Sequence, residues 1–99
     1  MSDQPVGCVA FTAKFYLGQM VATPNALAVI PNPEILVAMA RHARGDWGNL
    51  DREDWEANEQ ALKMGGRLLS SYLSTGNVKF WIITEADRSV TTVLLPEDY

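Results

Sequence analysis

The run Lys79-Phe80-Trp81-Ile82-Ile83-Thr84 narrows the fold more than any other part of this sequence. It is aromatic and β-branched, the composition that suits a pleated strand. Successive side chains of a strand point to opposite faces, so an unbroken apolar run makes both faces apolar. A strand with one wet face alternates instead, and this one therefore needs cover on both sides. Helices supply one cover; the other is a second subunit or the N-terminal strand folding over.

Two further β-type runs, at 67–74 and 90–95, flank it in sequence, joined through Thr75-Gly76-Asn77 and then Glu85-Ala86-Asp87-Arg88-Ser89. Short polar connections of this kind predict an antiparallel three-stranded meander. Upstream, residues 11–22 are aromatic and β-branched enough for one more strand, with Gly18 as a weak point or bulge. Residues 1–8 read as a loose lead-in and 9–99 as a single domain.

Between these stretches lie two helix starts built alike. Thr23-Pro24 offers a capping hydroxyl followed by proline at the first helical position, and Pro31 ends that short helix. Asn32-Pro33-Glu34 repeats the arrangement, with Leu36, Met39, Ala40 and Ala43 as the apolar stripe and Gly45 as the C-terminal stop. Asp51 with Asp54 predicts a third helix presenting Trp55, Asn58 and Leu62 on one face and stopped at Gly65-Gly66. The fold class is α+β: a three-stranded antiparallel meander plus an N-terminal strand, packed with two or three helices.

Ninety-nine residues, 47% hydrophobic and 20% charged, suffice for one globular core and exclude a separate cofactor domain. A chain this short buries roughly 60–70% of its unfolded surface, which makes a homodimer a natural way to enlarge the core. A net charge of −4 argues against non-specific binding to nucleic acid. Cys8 has no internal disulfide partner, and a single Cys with a single His makes no zinc set, so a reducing cytoplasm and no metal or cofactor are expected. The longest apolar run, 35–40, falls far short of the ~20 residues of a membrane span, and the first residues lack a basic leader.

Chemistry-bearing residues gather in two places. His42 and Asp46 stand four apart at a helix exit within His42-Ala43-Arg44-Gly45-Asp46-Trp47-Gly48, where a carboxylate can orient an imidazole for acid-base work. The alternative is structural: Gly45 makes the left-handed turn, Asp46 binds loop N–H groups and Trp47 packs as a lid. Glu85, Asp87 and Arg88 crowd a hairpin turn and suit a paired acid and base, a divalent cation, or an anion held by the guanidinium. Their structural alternative is an Asx turn at Asp87 with Arg88 paired to Glu85. A Ser-His-Asp set drawn from Ser70 or Ser71, His42 and Asp46 lacks the G-x-S-x-G elbow.

The acidic front of the third helix, Asp51, Glu53, Asp54, Glu56 and Glu59, is either a mimic of DNA phosphates or ordinary helix-dipole chemistry. Asn58, polar on an apolar face, needs partners, and its expected task is tying the Gly45–Gly48 loop to the sheet. A pocket near Trp47, Tyr72 and Trp81, with Asn58 and Arg67 as polar contacts, would suit a small ligand.

Taken together, Leu17-Gly18-Gln19, Ala22-Thr23-Pro24, Gly45-Asp46-Trp47-Gly48, Arg67-Leu68-Leu69-Ser70, Ile83-Thr84-Glu85-Ala86-Asp87-Arg88 and Thr91-Thr92-Val93-Leu94-Leu95-Pro96 resemble a family of small bacterial proteins of plasmids and other mobile elements. Its members are called plasmid-related proteins and are sometimes labelled as type I restriction subunits. The resemblance spans 15–99 and carries over no catalytic residue. A methylating or DNA-reading subunit needs a domain several times this length, so that label speaks to genomic neighbourhood. The expected function is that of a non-catalytic protein-interaction module of a mobile element, with an acidic surface that modulates a host nucleic-acid-processing or defence enzyme. The alternatives are a small hydrolase or nuclease using His42, Asp46, Glu85, Asp87 and Arg88, and a small-ligand-binding domain.

Overall fold

The computed structural model describes residues 13–99. The lead-in expected over 1–8, with Cys8, lies outside them, as do Phe11 and Thr12. Strand β1 (Gln19–Ala22) is followed by helices α1 (Pro24–Val29), α2 (Asn32–Ala43) and α3 (Arg52–Met64), then strands β2 (Leu68–Leu73), β3 (Lys79–Thr84) and β4 (Val90–Leu94) and a closing 3-10 turn, Pro96–Asp98. Over the described residues the molecule is α+β, with three helices and one four-stranded mixed sheet in the order β1-β4-β3-β2.

The three-stranded antiparallel meander expected from the sequence is one part of a four-stranded mixed sheet. β2, β3 and β4 pair antiparallel in succession, and β1 joins the same sheet parallel to β4, with Gln19 opposite Val90 and Ala22 opposite Val93. β1 consequently extends the sheet at its edge and does not fold over a face. The strand expected across 11–22 shrinks to four residues. Phe15 turns inward onto His42, and Gly18 takes φ +66° against β4, where a Cβ would collide with the Ser89 carbonyl.

Period-two alternation sorts the sheet into two faces. Phe80 and Ile82 of β3, Tyr72 of β2, and Val93 and Leu95 meet Ala26 of α1, Ile30 at its C-terminal cap, and Ala38 and Met39 of α2 in one core. On the opposite face Ile83 is 2% exposed and Trp81 half-buried, its ring edge-on to Tyr99 at 5.9 Å. The C-terminal turn therefore supplies part of the second cover that the apolar run demands.

Local chemistry sets the helix ends. Thr23 Oγ1 accepts from Ala26 N and Asp51 Oδ1 from Asp54 N, while Gly65 ends α3 at φ +87°. α2 departs from expectation at both its start and its stripe. It begins at Asn32 with no side-chain cap, and its buried residues are Ala38, Met39, His42 and Ala43, leaving Leu36 at 69% exposure. The stripe is rotated toward His42 because that imidazole finds its partners inside the sheet layer.

Candidate functional site: a buried histidine relay

His42 is 0% exposed. Its Nδ1 lies 2.5 Å from Ser70 Oγ on β2 and its Nε2 2.9 Å from Thr84 Oγ1 on β3. Thr84 Oγ1 is 2.7 Å from Thr91 Oγ1 on β4, and Thr91 donates to the Leu17 carbonyl at 2.7 Å.

Counting protons fixes the direction of the whole chain. Thr91 gives its only hydrogen to Leu17, so it must accept from Thr84. Thr84 then has no hydrogen left and accepts from His42, which places the imidazole proton on Nε2. Nδ1 is left with a lone pair, and Ser70 donates to it. The relay runs from the Ser70 hydroxyl through His42, Thr84 and Thr91 to a backbone carbonyl, across α2 and three strands.

Its surroundings keep it neutral. Phe15 and Trp47 stand edge-on to the imidazole at 5.3 and 5.5 Å. Burial, reinforced by the nearby Arg88 charge, lowers the His42 pKa to about 3. A neutral imidazole accepting from a serine is the pairing a hydrolase uses to activate a nucleophile. Here Ser70 is also 0% exposed, and both imidazole nitrogens face hydroxyls, with no carboxylate bonded to the ring among the described residues.

Asp46 is engaged in its own loop. Arg41 Nε donates to its Oδ2 at 2.8 Å, and Gly48 N donates to Oδ1 at 3.2 Å. The Arg41 guanidinium holds the Asp46 carboxyl below the ordinary aspartate range. Tyr72 donates to the Asp46 carbonyl at 2.6 Å, and burial pushes its phenol up to about 12.

The hairpin residues likewise have local partners. Asp87 accepts from Ser89 N in an Asx turn, and Glu85 pairs with Arg67 at 3.5 Å, not with Arg88. Arg88, at φ +61°, donates to the Gly66 carbonyl at 2.6 Å and the Ala61 carbonyl at 3.2 Å, placing its charge at the C-terminus of α3. Its guanidinium lies 5.7 Å from the Phe15 ring, which itself stands edge-on to His42. Among the described residues no group of three or more His, Cys, Asp or Glu is placed to hold a metal ion.

The residues proposed as ligand contacts are distributed differently. Trp47 is 0% exposed and donates through Nε1 to Glu59 at 2.8 Å. Asn58 does not tie the loop to the sheet. Its amide donates to the Leu69 carbonyl and accepts from Leu69 N, pinning α3 to β2. The loop attaches itself, since Ser71 N donates to the Trp47 carbonyl at 3.1 Å and Asn49 N donates to the Ser71 carbonyl at 2.7 Å. Arg67 lies at the opposite end of β2, donating to Tyr99 Oη at 2.6 Å. Tyr72 and Trp81 sit on opposite faces of the sheet, because Tyr72 is in register with Phe80.

Ser70 was named beside His42 only as part of a catalytic set with Asp46, and Thr84, Thr91 and Phe15 escaped the sequence reading altogether. The signal was present: Thr84 continues the inward series Phe80, Ile82, and Thr91 opens the series Val93, Leu95. Hydroxyls on core-facing positions need partners, and the one histidine of the chain is the natural candidate. Comparison with family models, with curated proteins and with solved structures gives no match.

Proposed function

We propose that this chain is a non-catalytic interaction module. The observation that carries this reading is how its polar chemistry is used. His42, Asp46, Asp87 and Arg88 are committed to holding elements together, while α2 leaves Leu36 and Val37 on the surface at 69% and 62% exposure. Exposed apolar side chains of this kind, bordered by polar ones, mark contact surfaces.

The acidic front of α3 is a weaker candidate than its sequence suggested. Asp51 caps the helix, Glu59 accepts from Trp47 and Glu56 pairs with Arg52, so much of that charge has a structural use. The face of α2 is therefore the favoured contact. Resemblance to the plasmid-related proteins is the reason for reading the module as a cytoplasmic accessory of a mobile element, acting on a host protein or on a copy of itself.

The test is affinity capture of the tagged chain from bacterial lysate after nuclease treatment, with an untagged copy co-expressed. The expected result is a stoichiometric protein, or the untagged copy, retained by the wild type and lost with Val37→Glu. Retention of neither overturns the interaction reading.

A further inference from the structure

Helix α2 is apolar almost all the way round. Glu34, Arg41 and His42 are its only ionisable residues, and His42 faces inward. A helix of that composition belongs in an interior, yet only one side of this one meets the sheet. On the outer side Pro33, Val37, Ala40 and Arg44 recur at spacings of four, three and four, the seam of two helices packed side by side. Leu36 widens this ridge. To either side the surface falls into a groove, one of about 250 Å³ toward β2, walled by Val37 and Leu73, and one of about 310 Å³ toward β1, walled by Leu36 and Met20.

A ridge flanked by grooves on one patch is what a twofold contact requires, because the same surface must supply both knob and hole. The charges at the two ends of α2 add an orientation. Both carboxylate oxygens of Glu34 are held by Thr75 at the N-terminal end, so the acid is fixed in place. Arg44 stands exposed at the C-terminal end with no ion-pair partner among the described residues, beside Gly45 and the Lys14 side chain packed on it. Two antiparallel copies bring each basic end over an acidic one, whereas parallel copies oppose like charges.

We propose that a second copy of this chain seats on the outer face of α2, the two helices antiparallel about a twofold axis beside Val37 and Ala40, with Arg44 of each copy over Glu34 of the other. This rests on the interaction reading and names its partner. A twelve-residue helix spans about 18 Å, and with both groove walls the footprint is on the order of 500 Å² per copy, below the ~800 Å² of a standard interface. The association is therefore one that dilution reverses.

Sedimentation equilibrium of the full chain, from micromolar to millimolar protein, is the test. The wild type should rise from 10.9 kDa toward twice that mass. Val37→Glu and Leu36→Glu should each weaken association at least about tenfold with unchanged far-UV circular dichroism. Met64→Glu, at an exposed position on α3, should leave it intact. Arg44→Glu and Glu34→Arg chains should each be monomeric alone and dimerise when mixed, because only the mixture opposes unlike charges at both ends. A wild type that is monomeric at millimolar concentration overturns the proposal, as does a dimer indifferent to Val37→Glu and Leu36→Glu. If that monomer still captures another protein through α2, the second copy is wrong and the interaction reading stands.

Discussion

His42 shows how one side chain can be both the chemical outlier of a small protein and its structural centre. The imidazole satisfies Ser70 and Thr84 at once, and replacing it takes the acceptor from the buried Ser70 hydroxyl and the donor from Thr84, which keeps only Thr91, and leaves a void. His42→Ala should therefore cost about 2–4 kcal/mol, read from urea unfolding as a lower midpoint at unchanged slope. The same residue sets a pH dependence whose sign is fixed by its depressed pKa. An unfolded histidine takes up a proton below about 6.5, whereas the folded one stays neutral down to about 3. Between those limits the unfolded state binds more protons, so stability is whole above pH 6.5 and falls as the pH drops, by up to about 1.4 kcal/mol per unit. Glu34, Asp46, Asp87 and Asp98, all held below the ordinary carboxylate range by hydrogen bonds, add their loss at the acid end. Unfolding free energies at pH 7 and pH 5 check this: the wild type should lose stability between them, and His42→Gln should lack that slope. A wild type equally stable at both would contradict a neutral buried imidazole.

At the scale of elements, the β2 edge is closed by its own chain. Asn58 occupies the outward N–H and carbonyl of Leu69, and the loop from Trp47 to Asn49 occupies those of Ser71, so an edge that would otherwise template another strand is blocked. Gly48 makes the closure possible. It sits at φ +77°, and a Cβ there would strike the Ser71 carbonyl and the Tyr72 ring. Gly48→Ala should cost about 2–4 kcal/mol by strain and lost loop bonding. Asn58→Ala should cost about 1–3 kcal/mol and speed hydrogen exchange at the Leu69 amide, the readout that separates edge opening from general loosening. Much of this level was legible in the sequence: Thr23, Asp51 and Gly65 mark their helix ends through bonds made within a few residues. Asn58 was legible as a polar group needing partners, but its partner was not, because Leu69 is chosen by how α3 lies on the sheet. Leu36 was misread for a related reason. Helical periodicity allows more than one buried stripe on a helix as apolar as α2, and His42 selects which one turns inward.

For the molecule as a whole, the sheet order was the least legible feature because it depends on the pairing with the longest sequence separation. β1 meets β4 across about seventy residues, a closure that no turn chemistry announces and whose entropy cost must be met before its contacts form. The same geometry gives the inner strands and the β1 edge unequal stability. β3 is bonded on both sides and buried on both faces, whereas β1 is four residues long, largely exposed and bonded within the sheet to β4 alone. Its anchors are the short ladder to β4, the Gln19 N bond to the Ser89 carbonyl and the Thr23 N bond to the Val93 carbonyl at its two ends and, through Leu17, the last link of the histidine relay. Native-state hydrogen exchange should therefore find the amides of Gln19 and Val21 opening well below the global unfolding free energy, while those of Ile82 and Ile83 exchange only through global unfolding. Thr91→Val removes the hydroxyl that donates to Leu17, and it should lower protection in β1 more than in β3. Equal protection of β1 and β3 in the wild type would mean that the parallel edge belongs to the cooperative core, and unchanged β1 protection in Thr91→Val would mean that the relay does not hold the N-terminal strand in place.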